Sequence, residues 1–313
     1  FKCCSKLTKI TIPSSVTSIG YKAFYRCVSL NKIQIPSSVT SIKQYANQNF
    51  QSLEQITIQP TITYIGDYDY AGFSSLKQIK IPDSVIKIGE GSFRGCSSIE
   101  QIIIPDSVVC IGKNAFKGCN KLKEIHIAKS VESIGSGSFY NCSSLEKIEF
   151  KNNIKIIEND LFNNCTNLKQ IEIPDTVSYI GDGAFNYCIN LTEINIPPLV
   201  TSISSCCFSC CYSLKQIRLP HSLKIIKKNA FYRCFKLEKI FIPSTVESIE
   251  TSAFYCCRML AKVDIEFPSS LRYIGTHAFH DCNKLKEIEI PDSITSIQEY
   301  TFNACFLKKI KMP

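Results

Sequence analysis

Residues 81–96 read I-P-D-S-V-I-K-I-G-E-G-S-F-R-G-C, and residues 104–119 read I-P-D-S-V-V-C-I-G-K-N-A-F-K-G-C. These are two copies of one pattern, beginning 23 residues apart. Working outward in both directions, the frame L-x-x-I-x-I-P-x-S-V-x-x-I-G-x-x-A-F-x-x-C-x-x fills the chain. Its opening apolar residue stands at Leu7, Leu30, Leu53, Leu76, Ile99, Leu122, Leu145, Leu168, Leu191, Leu214, Leu237 and Leu260. Leu285 and Leu307 follow after steps of 25 and 22. Self-similarity at such a period means an array in which each unit buries its apolar face only against its neighbours.

Length alone would suggest two domains for 313 residues. The repeat overrides that expectation, because no linker or shift of composition interrupts it. The sequence therefore predicts one α/β solenoid over residues 1–313, with about 13 units of 23 residues. The chain is 44% hydrophobic, which is ample material for a core. No apolar run approaches the roughly 20 residues of a membrane span, so direct membrane insertion of this segment is not expected. Phe1, Cys4 and Leu7 match the tail of a unit, and Ile310, Met312 and Pro313 stop one just after its strand. Solenoids need polar-faced caps. The array is accordingly expected to be incomplete at both ends and cut from a longer protein.

Within a unit, L-x-x-I-x-I ends in strict alternation, the mark of a short strand with one buried face. The following proline, as at Pro13, Pro36, Pro82, Pro105 and Pro174, cannot donate to a ladder and closes the strand. Units running in one direction must stack these strands in parallel on a concave face, about 4.8 Å apart. V-x-x-I returns along another side of the coil. A-F-x-x-C-x-x-L spaces its apolar residues by three and four, which predicts short helical turns after the second strand. The residue before Val is Ser or Thr in most units, among them Ser15, Ser38, Thr61, Ser84 and Ser107. A hydroxyl there can bond backbone groups that would otherwise be buried unpaired. Two units depart from the frame: Asn47 and Phe50, then Tyr70 and Phe73, stand where Phe and Cys are expected. This reads as a ring moved into the Cys slot with layer volume preserved.

The frame resembles the BspA-like leucine-rich repeat family, also called the Treponema pallidum-type repeats. The resemblance rests on I-P-x-S-V-x-x-I-G-x-x-A-F-x-x-C and covers the whole chain. Proline after the strand sets it apart from ordinary leucine-rich repeats, which carry Asn there. The Ile-, Lys-, Asn- and Cys-rich composition is similar to that of the protist members. The resemblance implies a surface protein concerned with adhesion or host contact, at the cell surface or outside the cell.

Of the eighteen cysteines, twelve fall on one repeat position: Cys4, Cys27, Cys96, Cys119, Cys142, Cys165, Cys188, Cys211, Cys234, Cys257, Cys282 and Cys305. Residues related by near-translation have parallel Cβ vectors about 5 Å apart, beyond the roughly 3.5–4.5 Å of a bridge. Reduced thiols serving as small buried hydrophobes are expected. Cys206 and Cys210 form a C-x-x-C and are expected to face outward. A structural zinc site wants four converging ligands, so no metal is predicted there. His277-x-x-His280 could share a face near Cys282, but both positions are variable and read as solvated histidines. Glycines such as Gly20, Gly66, Gly89 and Gly112 are turn residues that Lys43, Glu158, Lys227 and Glu250 replace elsewhere, so they form no phosphate loop. No nucleophile stands at useful spacing from a base. No enzyme and no cofactor are predicted. The sequons at Asn141, Asn164 and Asn190 are no more than composition alone would produce.

The net charge of +9 is read as spread evenly, mostly alternating in sign, without the basic stripe of a nucleic-acid binder. The second residue of successive units alternates as Glu54, Lys77, Glu100, Lys123, Glu146 and Lys169, which spares the ladder a column of like charges. The exposed position of each first strand is where the rigid frame varies. Its occupants His126, Glu149, Glu172, Asn195, Arg218, Phe241 and Asp264 mix acids, an arginine and an aromatic ring. They are the predicted contact surface for a protein partner, because solenoids bind through this face. The alternative is an intracellular structural or adaptor protein in the cytoplasm, where reduced cysteines are ordinary.

Overall fold

The computed structural model describes residues 1–311 apart from 31, 35, 37, 40, 43–54 and 151–153. The chain divides into two compact units, residues 1–152 and 153–313, each a parallel β-solenoid. In the first, Gln101–Ile103, Glu124–Ile127 and Lys147–Phe150 form one parallel sheet. In the second, Glu193–Asn195 pairs with Gln216–Arg218, and Lys239–Ile242 with Lys262–Ile265. The shorter return strands form sheets of their own. Tyr64–Ile65, Lys87–Ile88, Cys110–Ile111 and Ser133–Ile134 make one. Ser202–Ile203, Ile225–Ile226, Ser248–Ile249 and Tyr273–Ile274 make the other.

Register follows the repeat, with Ile125 opposite Ile102 and Ile148. Each core isoleucine thus lies on the next, and a slip of one residue would turn the whole buried face outward. The long step near Leu260 is absorbed between strands. Ile242 still faces Ile265, while Ser248 faces Tyr273, so the extra residues lie in the connection that carries Glu266 and Phe267.

The proline and hydroxyl columns do what their chemistry suggests. Pro82, Pro105, Pro174 and Pro243 each offer a carbonyl to the N–H of the Val three residues on, at 3.0 Å. The Ser or Thr before that Val reaches back one coil. Ser84, Ser107, Ser130 and Ser222 donate to the carbonyls of Ile62, Val85, Val108 and Val200 at 2.6–2.7 Å. Those carbonyls lie beside the core, where an unmade bond costs about 1–3 kcal/mol.

Inside, the phenylalanines form a stack. Phe93, Phe116 and Phe139 follow at 5.4 and 5.7 Å in the first unit, and Phe185, Phe208 and Phe231 at 5.4 and 5.5 Å in the second. The cysteines form no disulfide, and the column is buried from Cys27 to Cys282; at its ends Cys4 is exposed and Cys305 half-buried, because no further coil covers them, which corrects the expectation for those two. The buried thiols also act as donors. Cys142 bonds the carbonyl of Phe116 at 3.2 Å, Cys211 that of Phe185 at 3.2 Å, and Cys234 that of Phe208 at 3.1 Å. Burial pushes the Cys96 and Cys142 thiols up to about 12, so they remain protonated and able to donate.

Two expectations are corrected here. Tyr70 keeps the ring in the phenylalanine column, stacked on Phe93 at 5.4 Å, while Phe73 fills the cysteine slot. Both are buried, so a ring has been added and not moved. The parallel substitution at Asn47 and Phe50 lies outside the described residues. The second correction concerns the A-F-x-x-C segment, because the described residues contain no helix. Alternate N–H groups of this segment stay local: Ala115 bonds Gly112, Lys117 bonds Asn114, and Cys119 bonds Phe116. The groups between them bond the next coil, Asn114 to Ser136, Phe116 to Ser138 and Gly118 to Tyr140. A helix would keep all of these bonds within itself.

Turning alternate amides outward requires left-handed backbone twice per coil, two residues before the core Phe and immediately before the core Cys. Gly91, Asn114 and Gly137 hold the first position at φ 55–63°, and Gly95, Gly118 and Asn141 the second at φ 60–76°. Those residue types accept such angles at little cost, whereas other side chains lose roughly 1–2 kcal/mol there.

Candidate functional site

The exposed position of the first strand is held by an isoleucine on each side that points into the core. Ile240 and Ile242 are buried, so Phe241 between them must face outward, and it is 44% exposed. Six of the seven contact residues read from the sequence lie on strands. Glu172 does not, since residues 168–174 carry no strand. It keeps its place because Ile171 is buried and the Gln170 side-chain amide donates to Glu193 at 2.9 Å.

The seven divide between the two units. His126 and Glu149 are neighbours on paired strands of the first, with Nδ1 and Oε2 3.0 Å apart. Asn195 lies opposite Arg218, and Phe241 opposite Asp264, in the second. The strand that carries Arg218 lies beside the strand that carries Phe241. His221 meets the Phe241 ring edge-on at 6.3 Å.

Charge on this face is partly committed. Lys147 and His126 both bond Glu149, and together they hold its carboxyl below the usual range. Lys262 pairs with Asp264 at 2.8 Å along the same strand. The sequence signal for both lysines was present, since residues two apart share one face of a strand. Arg218 has no carboxylate partner among the described residues. Lys123 and Glu100, successive members of the alternating column, meet at 3.6 Å.

Grooves lie on the strand face among the described residues. One, of about 820 Å³, runs in the first unit past Thr57, Lys80, Gln101 and Ile103, whose side chain is 78% exposed. Another, of about 360 Å³, runs beside Asp264 in the second unit, between Phe267, Glu287, Glu289 and Lys311. Phe267 belongs to the extra connection and is 50% exposed. The 25-residue step pointed to that connection, but nothing in the frame identified the side chain.

Elsewhere the candidates behave differently from their sequence reading. Cys210 is buried and does not face outward. Cys206 is half-buried. His277 and His280 are half-buried and not simply solvated. His277 stacks on Tyr300 at 5.0 Å and His280 on Tyr255 at 4.5 Å. Among the described residues no three His, Cys, Asp or Glu side chains converge as metal ligands would. No helix there is long and apolar enough to cross a membrane.

Charge is also less even than its overall alternation suggests. Residues 214–236 contain Lys215, Arg218, Lys224, Lys227, Lys228, Arg233 and Lys236 and no Asp or Glu.

A family model described as a BspA type leucine rich repeat region matches residues 1–108, 86–215, 155–266 and 262–313. No protein of curated function matches the chain. Among solved structures, a leucine-rich repeat protein from Bacteroides ovatus is 30% identical with a TM-score of 0.86, covering 97% of this chain and 80% of that one. A leucine-rich repeat protein from Eubacterium ventriosum is 28% identical with a TM-score of 0.63, covering 91% and 85%. A leucine rich cell surface protein from Faecalibacterium prausnitzii, 24% identical with a TM-score of 0.50 over 87% and 83%, shares the fold alone.

Proposed function

The chain belongs to the BspA-type leucine-rich repeat family, and from that premise we propose that it is a non-enzymatic protein that captures a protein partner through the exposed positions of its first strands. The observation that carries this reading is Phe241, an aromatic ring held half-exposed on a strand that cannot move it aside. Arg218, free of any carboxylate among the described residues, lies on the adjoining strand. Aromatic rings and arginines are the residues that most often dominate binding energy at protein interfaces. Asn195, Glu172 and Asp264 supply polar contacts around them, and His126 with Glu149 offers a further polar pair on the first unit. The setting that fits this role is the cell surface, the location that the family resemblance implies.

Eighteen cysteines without a disulfide favour a second reading, an intracellular adaptor that uses the same face. The compartment of the native protein separates the two.

The test is capture by immobilised protein. Replacing Arg218 and Phe241 by alanine together should weaken capture of the partner by about tenfold or more, the scale of one lost anchor. Neither side chain is in the core, so the unfolding free energy should change by less than about 1 kcal/mol. Undiminished capture by the double variant would move the binding site off this face.

A further inference from the structure

We propose that the turn side of the second unit is a docking surface for an acidic protein segment, with Arg233 and the tyrosines around it as the anchor. This surface is separate from the strand face. It rests on four observations that fall on the same few coils.

The first is backbone strain. The residue before the core cysteine is left-handed in every described coil where its angle is given; in the first unit Cys3 and Arg26 hold it in the opening coils and Gly72, Gly95, Gly118 and Asn141 after them. Over residues 187–256 the same slot holds Tyr187, Cys210, Arg233 and Cys256, at φ 58–59°, before Asp281 and Ala304 take it. Each N–H there still reaches the next coil, Cys210 to Tyr232 and Arg233 to Tyr255 at 2.7 Å. The ladder therefore forces an angle that suits Gly, and over these coils the sequence places Tyr187 and Arg233 on it. Strain of this kind gathers at sites of function.

The second is the aromatic content of the same coils. The residue after the core cysteine is Ser97, Asn120 and Ser143 in the first unit but Tyr212, Phe235 and Arg258 here. Tyr212 stacks on Phe235 at 5.0 Å, and Tyr232 on Tyr255 at 5.1 Å. Tyr187 is 45% exposed. The Cys210 thiol beside it raises the Tyr187 hydroxyl above its ordinary range.

The third is Arg233 itself. Its guanidinium is exposed, lies 5.2 Å from the centre of the Tyr232 ring, and has no carboxylate partner among the described residues. Arg258 supplies the contrast: it lies over Phe235 at 5.4 Å but is already paired with Asp281 at 2.9 Å. Arg233 is thus positioned and unused.

The fourth is charge. The coil that carries Arg233 holds seven basic residues and no acid of its own; Glu247 of the next coil pairs with Lys224 at 3.5 Å and the Glu250 carboxylate accepts the Lys228 backbone N–H at 2.9 Å, whereas Arg233 has neither among the described residues. Lys228 and Lys236 lie exposed near the turn, with Lys227 half-exposed. Such a patch attracts carboxylates and repels basic surfaces. A nucleic acid fits less well. Single strands need free ring faces on which to stack bases, and here the faces lie against one another. Nor does the charge extend as a track, because the next coil brings in Glu238, Glu247 and Glu250.

The probe is a fluorescein-labelled peptide of repeating Glu-Glu-Phe, with a Lys-Lys-Phe repeat and oligo-dT as comparators, read by anisotropy on the full chain. The acidic peptide should bind and the basic one should not. Arg233→Glu should weaken binding by about tenfold or more. Arg233→Gly should weaken it too while melting at or above the wild-type temperature, which separates lost binding from lost folding. Phe241→Ala, on the strand face, should leave the affinity within about twofold, so this surface and the strand-face site fail or stand separately. Absence of binding to the acidic peptide, or equal affinity in Arg233→Glu, overturns the proposal. So does oligo-dT binding that is tighter than peptide binding and lost in the same variant.

Discussion

Phe208→Ala is expected to lower the unfolding free energy of the second unit by about 3–5 kcal/mol, the range for deleting a buried ring. Phe208 is completely buried and lies between Phe185 and Phe231, whose ring centres are 5.4 and 5.5 Å from its own. Its carbonyl accepts the Cys234 thiol. Removing the ring therefore opens a cavity facing two coils at once, and each is pinned by its own hydrogen bonds and collapses poorly into the space. Phe241 gives the internal comparison, since it is also a phenylalanine on a regular coil but faces solvent. Phe241→Ala should shift the same denaturant midpoint by less than a quarter as much. Equal losses from the two replacements would mean that the buried stack is not what holds the coils together.

Asp69→Ala is expected to stabilise the first unit at alkaline pH by about 2–4 kcal/mol, because each tenfold change in proton affinity on folding is worth about 1.4 kcal/mol. Asp69 occupies the slot that Ala115, Ala184, Ala230, Ala253 and Ala278 fill elsewhere, all completely buried. Burial is the main reason its carboxyl is pushed up to about 7; the Gly66 N–H, 2.7 Å away, acts in the opposite direction, and the Asp67 charge reinforces the effect of burial. A carboxyl whose folded value lies above the unfolded one, about 3.9, binds its proton more tightly in the folded chain. The contribution of Asp69 to wild-type stability is therefore greatest below about pH 4 and declines as pH climbs to about 7, after which it is constant. The alanine variant should lack that decline. Denaturant titrations at pH 4 and pH 8 check it: the two proteins should nearly coincide at the lower pH and separate at the higher. A variant no more stable than wild type at pH 8 would contradict the assignment.

The parts of the fold that follow from translation were readable in the residues alone. If each coil repeats the one before, Ile125 must lie between Ile102 and Ile148, Ser107 must meet the coil behind it, and thiols in one column must point the same way and stay unbridged. The turn segment was not readable from its apolar spacing, because steps of three and four suit a helix and a train of tight turns equally. What separates them is the backbone hand at Asn114 and Gly118. The recurrence of Gly and Asn four residues apart, as at Gly91 and Gly95, carried that information. The strand face was legible in direction but not in availability. Phe241 is exposed, whereas Glu149 and Asp264 are already tied to lysines, and an outward position says nothing about what a neighbouring strand supplies. The basic coil at residues 214–236 was also on view, hidden by an even overall balance of charge.

Thiol counting tests most directly the claim that identical coils repeat by translation and so fix the role of each column. All eighteen cysteines should react with Ellman's reagent once the protein is denatured without reductant. In the native protein Cys3 and Cys4, the exposed pair, should react fast, and the buried members of the column, Cys27 to Cys282, should react only as the coils open. A total below eighteen, with mass spectrometry placing a bridge between successive core cysteines such as Cys211 and Cys234, would contradict the account.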